Sequence, residues 1–391
     1  MIVFVFKDPI HGLPPAISLL RLLKDAREKV VVIGLCQDKT TVSILSEVGI
    51  DYRLYSYRNV KSRKSPCCRI WQKLTQRIRP YLMRRWAWRQ IDEILKRESD
   101  AILWSIEMPA TAILGDRALS YGRRHVVSLY ELGDERGKSL WGFDIDEMYR
   151  TATLIECEYN RAHILKAEKG ISRLPFVIPN KPYAHTRKRM TFVTDPMAAK
   201  VVKAWTGKRV FLYQGALMND RGALLVLIEK MCRLFPDCVV AVMGRENQVT
   251  RRLQRQYPNF SFVPYVAPPH HLEVTSHADV GVAYYGGGSV FGLSPLNPVY
   301  CAPNKIFEYA GYGMPILCND NPGLYYSVVQ NGAGVALPSF EDEIVRSAGR
   351  ALLDGYDRYS AQATKLFESV DLEKLVLQVV SFARGREIEV Y

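Results

Sequence analysis

The sequence predicts an α/β protein that contains two parallel-sheet units. Strand-like apolar runs alternate with helix-like stretches along the chain, which is typical of parallel sheets with crossover helices. The alternation stops over residues 180–208, which are polar and basic and suit a linker, and then it resumes. A chain of 391 residues also exceeds what one hydrophobic core usually organises. We therefore predict one domain over residues 1–185 and a second over 186–365, which leaves residues 366–391 as a C-terminal segment.

Thirteen strands are predicted in order. Those of the first domain are Ile2–Phe6, Val30–Cys36, Asp51–Tyr57, Ala101–Ile106, His125–Leu132, Leu154–Glu158 and Phe176–Pro179. Those of the second are Val210–Ala216, Cys238–Gly244, Phe260–Tyr265, Val280–Tyr285, Pro315–Asn319 and Gly334–Leu337. Between them lie amphipathic segments such as Pro15–Glu28, where Ile17, Leu20 and Leu23 share one helical face. Open parallel sheets bind ligands outside the carboxyl ends of their strands, so functional residues are expected there.

Composition excludes several classes of protein. Apolar residues make up 48% and charged residues 24% of the chain, which fits a globular protein and not a disordered one. The 8 cysteines are scattered without a CxxC pair, so we expect reduced thiols. No basic segment precedes the apolar N-terminal run, and no run approaches about 18 apolar residues. We therefore expect a cytoplasmic protein.

Histidine and glycine patterns exclude two kinds of site. No Cys/His cluster has zinc spacing, and we expect His270, His271 and His277 to lie at surface or helix-packing positions. The GxGxxG fingerprint is missing after the first strand, which argues against a nicotinamide-dependent enzyme.

The net charge of +13 is concentrated in one segment. Residues 58–89 hold eleven Lys and Arg and no Asp or Glu, together with Trp71, Tyr81, Trp86 and Trp88. Basic side chains with interfacial aromatics suit an anionic membrane surface. Nucleic acid is the other polyanion that suits this segment, and we favour it less. A solvent-exposed face of the protein that binds no partner is the remaining alternative. We predict peripheral binding at the inner face of the cell membrane.

The stretch from Ala278 to Leu337 carries the strongest chemical signal. A buried strand is followed by Gly286-Gly287-Gly288-Ser289, where glycines let a ligand approach the backbone and supply amide donors. Pro303 then opens a predicted helix, PNKIFEYAGYGMPI. Its N-terminus and Lys305 suit a pyrophosphate. Glu308 can accept hydrogen bonds from two ribose hydroxyls, or form an ion pair with Lys305 three residues earlier.

These residues resemble the nucleotide-sugar signature of GT-B glycosyltransferases, most closely the large, mostly retaining family 4-like group that builds polysaccharides. The resemblance extends to other segments in the family's order: YELGDE, ECEYNRAHIL, FVIPNKPY, YQGALMNDRGALLVLIEKM and FSFVPYV. It implies two Rossmann-like domains facing across a cleft and a C-terminal helix that returns to the first domain. It also implies transfer of a sugar from a nucleotide-diphosphate sugar to a hydroxyl of a saccharide or lipid-linked saccharide in surface polysaccharide biosynthesis.

The resemblance assigns roles residue by residue. Glu308 is expected to bind the donor ribose, and Lys305 and Arg221 to stabilise the leaving diphosphate as catalytic groups. The remaining donor contacts are expected from Gly12, Gly215, Tyr265, Val266, Gly287 and Asn304. Enzymes of this fold generally hold no catalytic divalent cation, so we expect neither a metal nor a cofactor.

Three positions depart from the family pattern. Tyr300 stands where many relatives have a second glutamate, and Ala216 stands where many have an arginine. Tyr130-Glu131 replaces a histidine near the reacting sugar, so Glu131 is our candidate to orient an acceptor hydroxyl, with Glu107 as its competitor. The alternatives are a nucleotide-sugar epimerase of the same fold and a non-catalytic scaffold that binds membrane or RNA.

Overall fold

The chain divides into two compact units. A computed structural model describes residues 1–56, 66–133, 143–183, 188–217, 222–286 and 293–386, with side chains of the helix that begins at Pro66 described from Ile78 onward. Unit 1 comprises Met1–Ile178 and Leu372–Tyr391, and unit 2 comprises Pro179–Asp371. These boundaries lie a few residues from those predicted at 185 and 365.

Each unit contains one parallel sheet, which confirms the predicted fold class. In the described part of unit 1 the strands are β1 (Ile2–Phe6), β2 (Val30–Gly34), β3 (Asp51–Leu54), β4 (Ile102–Ile106), β5 (His125–Leu129), β6 (Thr153–Glu156) and β7 (Phe176–Val177). In that of unit 2 they are β8 (Val210–Gln214), β9 (Val239–Gly244), β10 (Phe260–Pro264), β11 (Val280–Ala283), β12 (Ile316–Asn319) and β13 (Gly334–Leu337). Every predicted strand is present, and several end one to three residues earlier than predicted.

The helices follow the strands as crossover connections. In chain order they are α1 (Pro14–Asp25), α2 (Lys39–Val48), α3 (Pro66–Leu95), α4 (Glu107–Leu114), α5 (Ile145–Thr151), α6 (Tyr159–Lys169), α7 (Pro196–Lys203), α8 (Gly222–Leu234), α9 (Gln248–Gln256), α10 (His271–Thr275), α11 (Asn304–Ala310), α12 (Pro322–Leu324), α13 (Asp342–Asp354), α14 (Tyr356–Glu368) and α15 (Leu372–Ala383). Ile10–Gly12 and Asp116–Arg124 are 3₁₀ segments, and Tyr325–Val329 is a π-helical turn. Capping residues set several ends: Asp38 accepts from the Thr41 N–H at 2.9 Å at the start of α2, and Gly49 ends that helix with φ +69°.

Residues 180–208, predicted as a linker and the entry to the second domain, pack in part on unit 2. α7 lies inside this stretch, and Ala198, Val202 and the following Trp205 are buried in the unit 2 core. Asp195 caps α7 by accepting from the Ala198 N–H at 2.8 Å. The apolar residues are few, but their spacing places Ala198, Val202 and Trp205 on one side of the helix and turn, so the segment folds onto the sheet.

Strand order places a topological switch point in each sheet. Unit 1 has the order β3-β2-β1-β4-β5-β6-β7, and unit 2 has the order β10-β9-β8-β11-β12-β13. β1 pairs in parallel with β2 and β4, and β8 pairs in parallel with β9 and β11. In unit 1, β2 and β3 lie on one side of β1, and β4 and the later strands lie on its other side. In unit 2, β9 and β10 lie on one side of β8, and β11 and the later strands lie on its other side. Ligands in open α/β sheets bind outside the carboxyl ends of such strands.

α3 packs one face on unit 1 and exposes another. Its buried side chains join β1 and β4 in a cluster that includes Val3, Val5, Met83, Ala87, Trp88, Ile91 and Leu103. Trp88 also donates from Nε1 to the Leu114 carbonyl at 2.8 Å. Ile78, Tyr81 and Leu82 are 44%, 57% and 48% exposed, and Arg85 and Arg89 are exposed as well. The described helices include none that combines the length and apolar character needed to cross a membrane.

The last helix belongs to unit 1. Phe382 of α15 lies 5.6 Å from Phe176 of β7, measured between ring centroids, and Arg173 lies over the Phe382 ring at 3.6 Å. Arg384 forms a bidentate ion pair with Glu28, with one nitrogen–oxygen distance of 2.7 Å. Burial of Val376, Val379 and Val380 completes the attachment.

Candidate functional site

The candidate site of unit 2 lies at the switch point between β8 and β11. α11 follows β11 after a long connection and leads into β12. Tyr309 anchors the helix, because its buried hydroxyl lies 3.1 Å from the Leu212 carbonyl oxygen and accepts from the Gln214 N–H at 3.2 Å. Burial raises the pKa of Tyr309 well above its usual value. A side chain at position 281 would place its Cβ 2.1 Å from the Tyr309 ring, so Gly281 permits this close packing.

Glu308 is held inside the site by two side chains from other elements. Its side chain is only 6% exposed. Oε1 lies 3.0 Å from Nε2 of His271, at the start of α10. Oε2 lies 3.5 Å from Nε2 of Gln214, the last residue of β8. The carboxylate predicted to bind a ribose therefore lies at the switch point with a defined orientation.

Lys305 lies one turn before Glu308 on α11. Its Nζ donates to the Tyr285 hydroxyl at 2.7 Å. The ammonium also lies 5.0 Å from the centre of the Tyr285 ring and 5.8 Å from that of Tyr213, within cation–π range of both rings. These contacts place a positive charge near the ends of β8 and β11.

Tyr285 is itself fixed by two asparagines, one at the end of β12 and one just after it. Asn319 accepts from the Tyr285 N–H at 2.8 Å and donates to the Tyr285 carbonyl at 2.9 Å. Asn321 donates to the same carbonyl at 3.2 Å. The backbone after β11 is therefore tied to β12, and this contact orients the phenol that accepts from Lys305.

Gly215 follows β8 in a conformation that favours glycine. Its φ is +141°, and the nearest atom to an added Cβ would be the Tyr213 hydroxyl oxygen at 3.0 Å. Gly244, at the end of β9, permits the same close approach, because its Cβ would lie 2.5 Å from the Gly215 carbonyl oxygen. The Gly215 N–H donates to the Met243 carbonyl at 2.8 Å, so the two glycines let the end of β8 and the end of β9 pack closely.

The other predicted donor residues of unit 2 are spread around this edge. Tyr265 is 46% exposed directly after β10, and Val266 is 7% exposed beside it. Asn304 is the first residue of α11. Arg221 and Gly287 lie outside the described residues. The roles assigned to these residues stay predictions.

His271 contacts the candidate site, although the sequence analysis did not single it out. We expected a surface or helix-packing position, and the structure places its imidazole against the Glu308 carboxylate. His270 differs, since its Nδ1 lies 2.8 Å from Glu273 Oε1 and its side chain is 41% exposed. Gln214 was also missed. Its position as the last residue of a buried strand at the switch point was the available signal.

In unit 1, the predicted residues lie at the carboxyl ends of several strands. Gly12 ends a 3₁₀ segment after β1, with no atom within 4 Å of where its Cβ would lie. Glu131 is exposed after β5. Glu107 begins α4 with a φ of +65°, and its Oε1 accepts from the Tyr130 N–H at 2.5 Å. This hydrogen bond links the residue after β4 to the residue after β5, so the Glu107 carboxylate has a structural contact.

Two buried titratable side chains, Glu156 and Arg161, lie beside these residues. Glu156, at the end of β6, is 1% exposed, and Arg161 of α6 is 2% exposed. Glu156 Oε2 accepts from the Cys157 N–H at 3.2 Å, and Arg161 donates to the Tyr130 carbonyl at 2.8 Å. Burial raises the pKa of Glu156 to about 8, although the charge of Arg161 opposes this shift. The carboxyl group is therefore mostly protonated at neutral pH.

Comparison of the structure with solved structures identifies the fold. The sequence matches no protein-family model and no curated protein. A glycosyltransferase from Rickettsia africae is similar with a TM-score of 0.62 and 11% identity, over 98% of this chain and 98% of that one. Anabaena HepE in complex with UDP and glucose is similar with a TM-score of 0.62 and 13% identity, over 98% and 99% of the two chains. A putative UDP-N-acetylglucosamine 2-epimerase from Listeria monocytogenes is similar with a TM-score of 0.61 and 12% identity, over 100% and 99%.

These likenesses, together with the two parallel sheets, show that the chain has the GT-B fold. The predicted architecture of two Rossmann-like domains is confirmed. Glycosyltransferases and 2-epimerases both occur among the similar structures, so the fold is compatible with either activity.

Proposed function

We propose that this protein is a glycosyltransferase that moves a sugar from a nucleotide-diphosphate sugar to a hydroxyl of a saccharide or lipid-linked saccharide. The observation that carries the proposal is the buried Glu308 carboxylate at the β8–β11 switch point, with Lys305 one turn away. A carboxylate suits the two hydroxyls of a ribose, and an ammonium suits a diphosphate. The resemblance of the surrounding motif favours surface polysaccharide biosynthesis and retention of configuration at the transferred sugar.

The mechanism requires stabilisation of a leaving nucleoside diphosphate. Negative charge grows on the diphosphate as the bond to the sugar breaks, and a fixed positive charge lowers the free energy of that transition state. Lys305 is held in place by the Tyr285 hydroxyl and by two aromatic rings, so little reorganisation is needed during reaction. Arg221 is proposed as a second cation on the basis of sequence. Glu131 is proposed to orient the acceptor hydroxyl.

Nucleotide binding is the first test of this proposal. Thermal unfolding is measured with UDP, GDP, ADP and CMP and with their common sugar conjugates. A nucleotide at 100 times its dissociation constant stabilises the folded state by about 2.7 kcal/mol, which raises the melting temperature measurably. We expect one nucleotide diphosphate and its sugar conjugates to produce this shift. Absence of a shift with every nucleotide contradicts the proposal and favours the scaffold alternative.

An epimerase is the second candidate, supported by the similarity to 2-epimerase structures. An epimerase changes the sugar of the donor without an acceptor and releases no free nucleoside diphosphate as its stoichiometric product. The donor found in the binding screen is incubated with the protein alone, and the sugar is analysed by NMR spectroscopy. We expect an unchanged donor sugar. Conversion to an epimer without an acceptor contradicts the transferase proposal.

We also propose that α3 binds an anionic membrane at the inner face of the cell membrane. Ile78, Tyr81, Leu82, Arg85 and Arg89 follow helical spacing on the side of α3 that is exposed. A stripe of apolar and basic side chains is the pattern of helices that lie in a membrane interface. A lipid-linked acceptor requires a protein that reaches such a surface.

Neutralising the basic end of this stripe is expected to weaken membrane binding. Each basic side chain near an anionic surface contributes about 1 kcal/mol, so Arg85→Gln with Arg89→Gln should lower partitioning about 30-fold. The measurement is flotation with vesicles that contain anionic lipid, with neutral vesicles for comparison. The matched control is Arg251→Gln with Arg255→Gln, which removes two charges from exposed residues of α9. This double variant should leave flotation unchanged. Equal binding of wild type to neutral and anionic vesicles contradicts the proposal.

A further inference from the structure

The contact between His271 and Glu308 joins two short helices of unit 2. The two side chains are 12% and 6% exposed, and Nε2 and Oε1 lie 3.0 Å apart. A carboxylate oxygen only accepts hydrogen bonds, so Nε2 of His271 carries the proton. The imidazole is therefore a donor directed at the carboxylate that the proposed function assigns to the donor ribose.

A chain of hydrogen bonds supports this contact from behind. Gln214 donates from Nε2 to the Thr275 hydroxyl at 2.9 Å and contacts Glu308 Oε2 at 3.5 Å. Thr275 donates in turn to the His271 carbonyl at 2.9 Å. The side-chain amide has two N–H groups, so it can serve both partners. β8, α10 and α11 are thus linked through polar side chains at the switch point.

This arrangement determines how Glu308 can bind a diol. A glutamate side chain has several rotamers, and fixing one of them before a ligand arrives removes an entropic cost from binding. A carboxylate offers about four acceptor positions, so contacts with His271 and Gln214 are compatible with two more from neighbouring hydroxyls. Charge-assisted bonds of this kind are shorter and stronger than neutral ones, and they depend on alignment.

Two further buried polar atoms of these side chains have unused hydrogen-bonding capacity among the described residues. Gln214 is 6% exposed, and its Oε1 has no hydrogen-bond partner among the described residues. Nδ1 of His271 likewise has none among them. Buried polar atoms are usually satisfied, so an unsatisfied pair at a switch point is consistent with a site shaped for a polar ligand.

We propose that His271 is a positioning residue that holds the Glu308 carboxylate for the 2′,3′-diol of the donor ribose. It thereby determines the preference of this site for ribonucleotides over 2′-deoxyribonucleotides. The inference rests on the proposed function, because it requires that Glu308 binds the ribose. His271 acts through Glu308 and contacts no reacting atom.

The test compares the dissociation constants of UDP and 2′-deoxy-UDP by calorimetry. Wild type is expected to bind UDP at least about tenfold more tightly, since one hydrogen bond to a charged group is lost with the 2′-hydroxyl. In His271→Ala that ratio should fall to about threefold or less, because affinity for UDP should fall more than affinity for 2′-deoxy-UDP, which keeps only the 3′-hydroxyl. His271→Gln should recover the ratio, because its amide nitrogen can occupy the position of Nε2. His270→Ala is the matched control and should retain the wild-type ratio.

The outcomes separate this inference from the proposed function. If wild type discriminates between the nucleotides and His271→Ala discriminates equally, the positioning role is wrong and the function of Glu308 stands. If wild type binds both nucleotides equally, or neither, the ribose role of Glu308 fails together with this inference. Should His271→Ala fail to fold, the comparison of His271→Gln with wild type decides, because a loss of discrimination there contradicts the inference.

Discussion

Replacing Glu308 with alanine is expected to lower the affinity for the nucleoside diphosphate at least about 100-fold. Each hydrogen bond to a charged group contributes about 1.5–3 kcal/mol, and the variant loses those to two ribose hydroxyls. His271 and Gln214 also lose their shared acceptor in a nearly buried place, which adds a destabilising contribution. The measurement is calorimetric titration of wild type and variant with the nucleotide that gives the largest thermal shift.

The control is Glu343→Ala, because Glu343 is 81% exposed on α13 and pairs with Arg346 on the same helix. It removes the same side chain and should leave nucleotide affinity unchanged. An unchanged affinity in Glu308→Ala would remove Glu308 from the ribose role. If Glu308→Ala loses as much affinity for 2′-deoxynucleotides as for ribonucleotides, the loss reflects general damage to the site.

Replacing Glu156 with glutamine is expected to change how stability depends on pH. The pKa of this carboxyl group rises from 4.5 to about 8 on folding, because burial at the end of β6 disfavours the charged form. The folded state therefore binds the proton more tightly than the unfolded state does. Its stabilising contribution is fully present below about pH 4.5 and is lost as pH rises toward about 8.

Between pH 5 and pH 8 the unfolding free energy of wild type should fall relative to the variant by up to about 1.4 kcal/mol per pH unit. The sum over that range is roughly 4 kcal/mol, since glutamine has the same size and does not titrate. Thermal and urea unfolding at each pH measure the difference between the two proteins. Glu343→Gln is the exposed control and should follow wild type. Parallel pH profiles for wild type and Glu156→Gln would show that Glu156 is ionised in the folded protein at neutral pH.

Much of the fold could be predicted because its signals are local. β1 and β9 are continuous apolar runs, and such runs bounded by polar residues identify buried parallel strands without knowledge of their partners. The helix around Glu308 could also be predicted, since the proline, the apolar spacing and the glycines that follow lie within one short segment. α7 was harder to identify, because its few apolar residues fall within a polar and basic stretch.

The candidate site was predictable only in part. Glu308 and Lys305 belong to one motif and could be found together. His271 lies 37 residues before Glu308 in sequence, and no local pattern distinguishes it from His270, which instead contacts Glu273. The parallel sheet brings the end of β8, α10 and α11 to one edge, and this alone places Gln214 and His271 on the carboxylate. Local composition therefore specifies strands, helices and a donor motif, whereas contacts between distant segments depend on strand order and helix packing, which only the folded chain defines.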